Sequence, residues 1–567
     1  MNRRQFIQLM AIASAGGLLP KSPQAAIPIP TFGQVRLLHI TDCHAQLLPI
    51  YYREPDINLG IGQAQGKVPH LVGRKLLDYF GIQPNTIEAH AFTHLNYLES
   101  AQKYGKVGGF AHLATLINEL RDSYGREKTL LLDGGDTWQG SGTAYWTRGQ
   151  DMVGATNLLG VDVMTGHWEF TYNTEEILAN IKKFNGEFIA QNVFVKEEAL
   201  FDGSPAYDED TGNAFKPYTM RDLAGTRVAI IGQAFPYTPI ANPARFIPDW
   251  TFGIREFQLQ NLVNRIRDEE KPDIIVLLSH NGMDVDLKIA ANLSGINVIL
   301  GGHTHDAVPS PVEVKNNGGI TLVCNAGSNG KFVGVLDFSV KNGKVKGYKY
   351  SLQPVFSNLI QADKNMQAYI DKVRKPYLNK LQQKLAVAED VLYRRGNFNG
   401  TFDQLICNAL RSQGDAQIAL SPGFRWGTTI LPGQDITFED ILNQTCITYP
   451  ETYVKNLTGQ DIKNILEDVS DNLFNPDPYR QQGGDMVRVG GMNYVCKPKQ
   501  SIGKRISQMT LYDGSSIDMH KQYKVAGWAT VSKPSEGKPI WTIVADDLRD
   551  RKTIKINRLN TPKLLNI

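Results

Sequence analysis

Several aspartate and histidine residues fall directly after apolar runs. "HITDCHAQ" carries Asp42 and His44, "LLDGGDTWQGS" carries Asp136, "LLSHNGMDVD" carries His280, and "ILGGHTHD" carries His303 and His305. A further run ends in "VMTGHWEFTY", which adds His167. The carboxyl ends of strands are where α/β sheets build their sites. Two side chains spaced i, i+2 can face one point there if the chain leaves regular pleating. Asp and His without cysteine suit a hard-to-borderline divalent ion such as Mn, Fe or Zn. A single strand-end Asp or His reads as a turn or capping residue, but the ordered set DxH, GGD, GH, SHNG, GGHTH reads as a metal constellation. Cys43 lies between two of these residues and, in extended backbone, points the other way; it receives no catalytic role.

Such residues need strands to carry them. The runs at 35–40, 128–133, 161–166, 187–193, 227–232, 272–279 and 296–302 are short, continuous and rich in leucine and β-branched residues, the pattern of buried strands. Amphipathic stretches at 108–125, 173–184 and 256–271 lie between them, so residues 27–360 predict a layered α/β catalytic domain. Residues 51–107 interrupt the alternation as a long insertion beside the site, in the place of a lid. The polar, Lys-rich segment 361–386 predicts a linker helix. Residues 387–567, with Gly- and Pro-rich turns such as "SPGFRWG" and "FNPDPYRQQGGD", predict a second mixed domain that binds substrate.

The 567 residues are 42% hydrophobic and 21% charged, a composition for ordered globular domains. Residues 1–26 read as a twin-arginine export signal: Arg3 and Arg4, an apolar stretch from Phe6 to Leu19, and small residues at Ala25 and Ala26. A short membrane anchor is the other reading, although a span needs about 20 apolar residues. Without Arg3, Arg4 and Lys21 the net charge of +3 falls to zero. Charge therefore gives no case for nucleic acid or a membrane surface as partner. Five scattered cysteines without a CxxC predict no disulfide framework. The expectation is a soluble, periplasmic monomer.

The constellation resembles the calcineurin-like metallophosphoesterases, and more closely the 5′-nucleotidase family. That resemblance implies a four-layer α/β sandwich domain joined through a linker helix to a mixed α/β domain. It implies that Asp42, His44 and His305 hold one metal, that Asp136 bridges, and that His280 and His303 hold the second. The family's asparagine ligand falls on His167, whose imidazole can replace the carboxamide oxygen. The family's acid near the scissile ester, a histidine, falls on Trp168, and its supporting aspartate falls on Thr171. These departures, with "TDCHAQLLPIYYREP", "GGDTWQGSGTAYWTRG", "GQAFPYTPIANPARF" and "RRGNFNGTFDQLICNALR", resemble the thiosulfohydrolase family of the periplasmic sulfur-oxidation (Sox) system. The narrower resemblance implies two divalent ions, with manganese suggested. It also implies a sulfur-carrier protein whose modified cysteine sits on a flexible arm, and loss of the sulfonate from that cysteine as sulfate.

Losing the histidine is consistent with that chemistry. A nucleotidase expels an alkoxide whose conjugate acid is about as weak as water, pKa about 15.7, and gains about 10²–10⁴-fold from a proton donor. A thiolate has a conjugate-acid pKa of about 8.5 and can leave as the anion. Tyr172 is a candidate to orient the sulfonate or the departing sulfur, or else a packed tyrosine. Arg425 matches the arginine of the nucleotidases' "GGIR"-like turn and is a candidate oxyanion ligand, or else an interface residue; Arg395 is a weaker candidate of the same kind. Tyr145 and Trp146 read as packing residues. Two alternatives stay open: a 5′-nucleotidase or cyclic phosphodiesterase, which needs a base-stacking pair such as Phe474 and Tyr479, and a non-catalytic, metal-stabilised carrier-binding protein.

Overall fold

Alternation along the strands sorts the apolar side chains into layers. In the computed structural model, which describes residues 31–566, Leu37 of strand Val35–Ile40 enters one core while Leu38 and Ile40 enter another. Ile274, Val276 and Leu278 of strand Ile274–Ser279 join Leu37, whereas Ile275 and Leu277 point away. The shared core lies between two six-stranded sheets. The first runs in the order Lys344–Pro354, Phe332–Lys341, Val35–Ile40, Thr129–Asp133, Val163–Met164, Glu187–Phe188. The second runs Val312–Asn316, Gly319–Asn325, Val298–Gly301, Ile274–Ser279, Thr226–Gln233, Tyr218–Leu223. Helix Phe110–Tyr124 covers the outer face of the first sheet, and helices Glu256–Arg265 and Met283–Asn292 cover the second. The result is the four-layer α/β/β/α sandwich. A one-residue slip of any central strand would exchange its two layers, so register is firmly specified.

The strands that carry the candidate residues are parallel neighbours, Val35–Ile40 beside Thr129–Asp133 beside Val163–Met164 in one sheet, and Ile274–Ser279 beside Val298–Gly301 in the other. Their carboxyl ends therefore share one edge of the sandwich. Two runs are shorter strands than their apolar patterning suggests, Val163–Met164 and Glu187–Phe188. Beyond the second, Gln191 and Asn192 are spent across the sandwich, on Gln233 Oε1 and the Ala234 carbonyl.

The linker expected as one helix over 361–386 is broken. Helix Lys364–Arg374 gives way at Pro376 to a 3₁₀ turn, then to the short helix Leu378–Leu381, and strand Lys384–Ala388 follows. Proline removes a helical N–H donor. Met366 and Ile370 bury against the same core as helix Phe110–Tyr124, so the segment is a packed wall. Residues 51–107 form helices Gly73–Phe80, Ile87–Phe92 and Tyr97–Tyr104, packed on the second sheet's helical layer. Glu54 is ion-paired with Lys331 at 2.6 Å, both buried, and the Leu59 amide donates to Asn397 Oδ1. An insertion bonded this way is part of the wall and not a hinged lid.

The C-terminal part is built on a four-stranded sheet, Thr452–Thr458, Gln522–Trp528, Ile418–Gly423, Asp485–Gly490. Helices Thr401–Gly414 and Ile540–Arg551 bury Leu405, Ile406 and Leu548 on one face, and helix Gly459–Phe474 buries Ile462 and Leu466 on the other. The five cysteines are buried and unpaired. Among the described residues no helix is long and apolar enough to cross a membrane; the expected export signal lies outside them.

Candidate metal centre

Five of the seven candidate ligands sit in the left-handed backbone region: Asp42 (φ 52°), His44 (φ 45°), Asp136 (φ 58°), His303 (φ 74°) and His305 (φ 58°). For residues with a Cβ this costs on the order of 1–2 kcal/mol each, and it persists only where surroundings over-determine it. Here they do. The Asp42 and His44 amides donate to the carbonyls of Gly135 and Asp136, each at 2.8 Å, and the His303 amide donates to the Asp42 carboxylate at 3.0 Å. The kinks turn side chains at i and i+2 toward one point, and Cys43 between them falls into the hydrophobic core.

Two buried groups result. Asp42, His44, Asp136 and His305 offer ligand atoms within 4.8 Å of one another, and so do Asp136, His167, His280 and His303. Asp136 belongs to both. His44 Nε2 and His305 Nε2 converge at 3.0 Å, while His167 Nδ1 and His280 Nε2 approach Asp136 Oδ2 at 3.1 and 3.0 Å. His280 Nδ1–H donates to the Gly134 carbonyl at 2.6 Å, which turns Nε2 to Asp136; burial works against the charged ring, but the Asp136 and Asp42 carboxylates outweigh it and raise its pKa to about 10. His303 Nε2 is buried with no protein partner.

Charge is arranged in the same sense. Burial lowers the pKa of His44 to about 4 and pushes that of His303 well below its ordinary value, the latter helped by His167, His280 and Arg425. Both are therefore neutral imidazoles with lone pairs to give. Burial works against the Asp136 carboxylate, yet His167 and His280 outweigh it and hold the group well below the usual carboxylate range. Asp42 is lowered too, with burial opposed by His305 and His280.

Glu169 is a residue of this site that sequence reasoning missed. Its buried carboxylate accepts four amides: Thr137 at 2.7 Å and Trp138 at 3.1 Å on Oε1, His167 at 2.9 Å and Asp136 at 3.2 Å on Oε2. It ties the loop bearing Asp136 to the loop bearing His167. Its only signal was its place in "GHWE". Trp168 donates its amide to Asp136 Oδ1 at 2.7 Å, and its ring stands edge-on to Trp426 and Phe424 and parallel to Tyr449. Thr171 Oγ1 donates to the Trp168 carbonyl at 2.8 Å, so it closes a turn and holds no acid in place.

The reading of Tyr172 as a substrate-orienting or catalytic residue is corrected. The 3₁₀ turn Trp168–Tyr172 rotates its ring into the hydrophobic core, and its hydroxyl donates to the Trp138 carbonyl at 2.8 Å. Arg425 and Arg395 do reach the site. Both line a small cavity of about 40 Å³ beside His303, with His70 of the insertion. Arg425 Nη1 and Arg395 Nε are buried without partners there, although Arg395 Nη2 also donates to the Thr304 carbonyl at 2.9 Å. Tyr145 packs on Trp541 and Trp146 on Tyr377. Phe474 is fully buried in the C-terminal core, and Tyr479 is covered by Lys288 and hydrogen-bonded to Glu256. They form no base-stacking pair.

Fold and site together define a hydrolase of the 5′-nucleotidase and calcineurin-like class, with a buried Asp/His cluster able to hold metal. A family profile described as "5′-nucleotidase, C-terminal domain" matches residues 385–544. The trifunctional nucleotide phosphoesterase protein YfkN of Bacillus subtilis is 27% identical over 79% of the chain, which spans only 32% of that longer relative. A 5′-nucleotidase of Vibrio vulnificus is 25% identical over 68% of the chain and 76% of its own length. The structure of the sulfate thiohydrolase SoxB from Thermus thermophilus superposes with a TM-score of 0.88 and 32% identity, covering 95% of this chain and 98% of that one. The chain belongs to the SoxB family.

Proposed function

We propose that the protein hydrolyses the sulfonate from a carrier-protein cysteine S-thiosulfonate and releases sulfate. The observation that carries this reading is Trp168. An indole packed among Trp426, Phe424 and Tyr449 occupies the position where expulsion of an alkoxide would need an acid, and Thr171 supplies none. A sulfur leaving group needs no such donor. The buried Phe474 argues in the same direction, since a nucleotidase would need an accessible aromatic slot.

The donor set fits two divalent ions: the buried, neutral imidazoles of His44 and His303 with lone pairs to give, a carboxylate shared between two groups, and a carbonyl at Gly134 that fixes which nitrogen of His280 faces it. On this reading Asp42, His44 and His305 would hold one ion, His167, His280 and His303 would hold the other, and Asp136, common to both groups, would serve both. Manganese is the proposed metal. When bound, the ions supply Lewis-acid polarisation of the sulfonate oxygens and a nucleophile at neutral pH. Arg425 and Arg395 contribute N–H donors suited to a tetrahedral oxyanion. Glu169 keeps Asp136 and His167 in register. The reading of residues 1–26 as a twin-arginine export signal supports a reaction in the periplasm.

The test offers the metal-loaded protein a cysteine S-thiosulfonate peptide and, separately, AMP. Sulfate release without phosphate release is the expected result. Phosphate release alone would favour the 5′-nucleotidase or phosphodiesterase reading, and turnover of neither would favour a carrier-binding role.

A further inference from the structure

Trp426 holds an unspent hydrogen-bond donor beside the cluster. Its indole stacks on His44, with centroids 5.2 Å and planes 24° apart, and Phe424 stacks on it at 4.3 Å and 18°. Trp168 stands across that stack, at 76° to Trp426 and 86° to Phe424. Stacked neighbours occupy ring faces, whereas the indole N–H lies in the ring plane, so it is directed at neither. Nε1 is buried and meets no acceptor, a state native structures rarely leave unexplained. Elsewhere in the same domain Trp528 donates to Ser421 Oγ at 2.8 Å. Trp138 Nε1 also lacks a partner, but that ring packs against Phe184 and Phe188, whereas Trp426, itself part of the C-terminal core, stacks on His44.

We infer that Trp426 is a catalytic residue, its Nε1–H donating to the sulfur that leaves when the sulfonate is hydrolysed. The inference rests on the proposed function and names the part of it that the missing acid left open. The sulfonate's anionic oxygens have the cluster, Arg395 and Arg425 as charged partners. The leaving sulfur is soft, polarisable and only weakly basic. A single neutral N–H set in an aromatic wall of Trp168, Phe424 and Tyr449 matches it, because thioether-like sulfur packs well against aromatic edges. In the step, a water oxygen bonds to the sulfonate sulfur and the S–S bond to the sulfane sulfur breaks. The electron pair leaves on the sulfane sulfur. R–S–S–SO₃⁻ and H₂O become R–S–S⁻, SO₄²⁻ and two protons, with no external oxidant. Negative charge grows on the sulfane sulfur as the bond breaks, and a preorganised N–H acts where charge develops.

Two replacements separate the N–H from the ring: Trp426→Phe, and 3-benzothienylalanine at 426, which keeps the indole's shape without a donor. In the metal-loaded full-length mature protein, kcat for sulfate release from the cysteine S-thiosulfonate peptide should fall about 10- to 100-fold in both. KM and metal content should stay unchanged. The deficit should shrink toward nothing with S-aryl thiosulfates carrying electron-poor rings, whose thiolates leave unaided. The indole N–H resonance that Trp426→Phe deletes should move downfield when the S-sulfanylcysteine peptide is titrated in. A wild-type rate with benzothienylalanine, a deficit that is equal for all leaving groups, or a resonance that does not move would each overturn the inference while wild-type sulfate release stands. Failure of the wild-type protein to release sulfate would instead overturn the proposed function, and this inference with it.

Discussion

Replacing Glu169 by glutamine keeps shape and volume and exchanges one carboxylate oxygen for an NH₂ group. Each oxygen of Glu169 now accepts two amides, Thr137 and Trp138 on one, Asp136 and His167 on the other. Whichever way the amide turns, its NH₂ faces two N–H donors that have no other partner. The less costly orientation gives up the Asp136 and His167 amides, whose shorter bond is 2.9 Å against 2.7 Å on the other side. Two buried donors left unpaired cost about 1–3 kcal/mol each. Relief from burying a charge returns part of this, because burial and the neighbouring Asp136 raise the Glu169 pKa. A net loss of about 2–5 kcal/mol follows, or a fall in Tm of roughly 4–10 °C at about 2 °C per kcal/mol for a large domain. The freed amides belong to two candidate ligands, so metal affinity should fall about 10- to 100-fold, the usual effect of losing a group that holds a ligand in place. Thermal denaturation of the metal-free protein reads the first quantity and titration against a competing chelator reads the second. If Glu169→Gln melted within a degree of wild type and bound metal equally well, the carboxylate would not be what holds the two loops together.

His167→Asn should preserve binding of both metal equivalents, measured by elemental analysis after dialysis, because a carboxamide oxygen can stand in for the imidazole; loss of one equivalent would show that His167 is more than a replaceable ligand. Lys331→Met leaves Glu54 buried without its partner at 2.6 Å, and should cost about 3–5 kcal/mol. The double replacement Lys331→Met with Glu54→Leu should recover most of that in a denaturant titration; equal losses in single and double variants would deny the pairing. His90 is buried against Tyr97, Tyr104 and Phe356, and burial lowers its pKa to about 3. Below about pH 6.5 the unfolded chain takes up a proton that the folded one refuses, so stability falls by about 1.4 kcal/mol per pH unit down to about pH 3. His90→Phe should flatten that limb of a Tm-against-pH curve by this slope, and an unchanged limb would place the acid sensitivity elsewhere.

Strand identity was open to the sequence because buried parallel strands are continuous apolar runs, and the alternate cores filled by Leu37 and Leu38 follow from a period of two. The ligand clusters were legible for the same reason: Asp and His placed after such runs have one common edge to share. Tyr172 shows where that reasoning stops. Adjacency in "GHWEFTY" does not say that the turn Trp168–Tyr172 carries the tyrosine away from the site, whose hydroxyl then goes to the Trp138 carbonyl. Glu169 was invisible because its partners are backbone amides, which every residue has.

By itself, the sequence determined which residue types stand at the strand ends, that a tryptophan occupies position 168 in the histidine-bearing motif, and that a layered α/β domain precedes a mixed one. Those properties are local, set by side-chain chemistry and by the hydrophobic period. Only the tertiary structure decided which groups meet. The left-handed turns at Asp42, Asp136 and His303 help bring five chain segments together around one shared carboxylate. The second domain brings Trp426 against His44 and Arg425 beside His303. Contacts between residues hundreds of positions apart are fixed by packing two domains together, and no local pattern in the chain encodes that geometry.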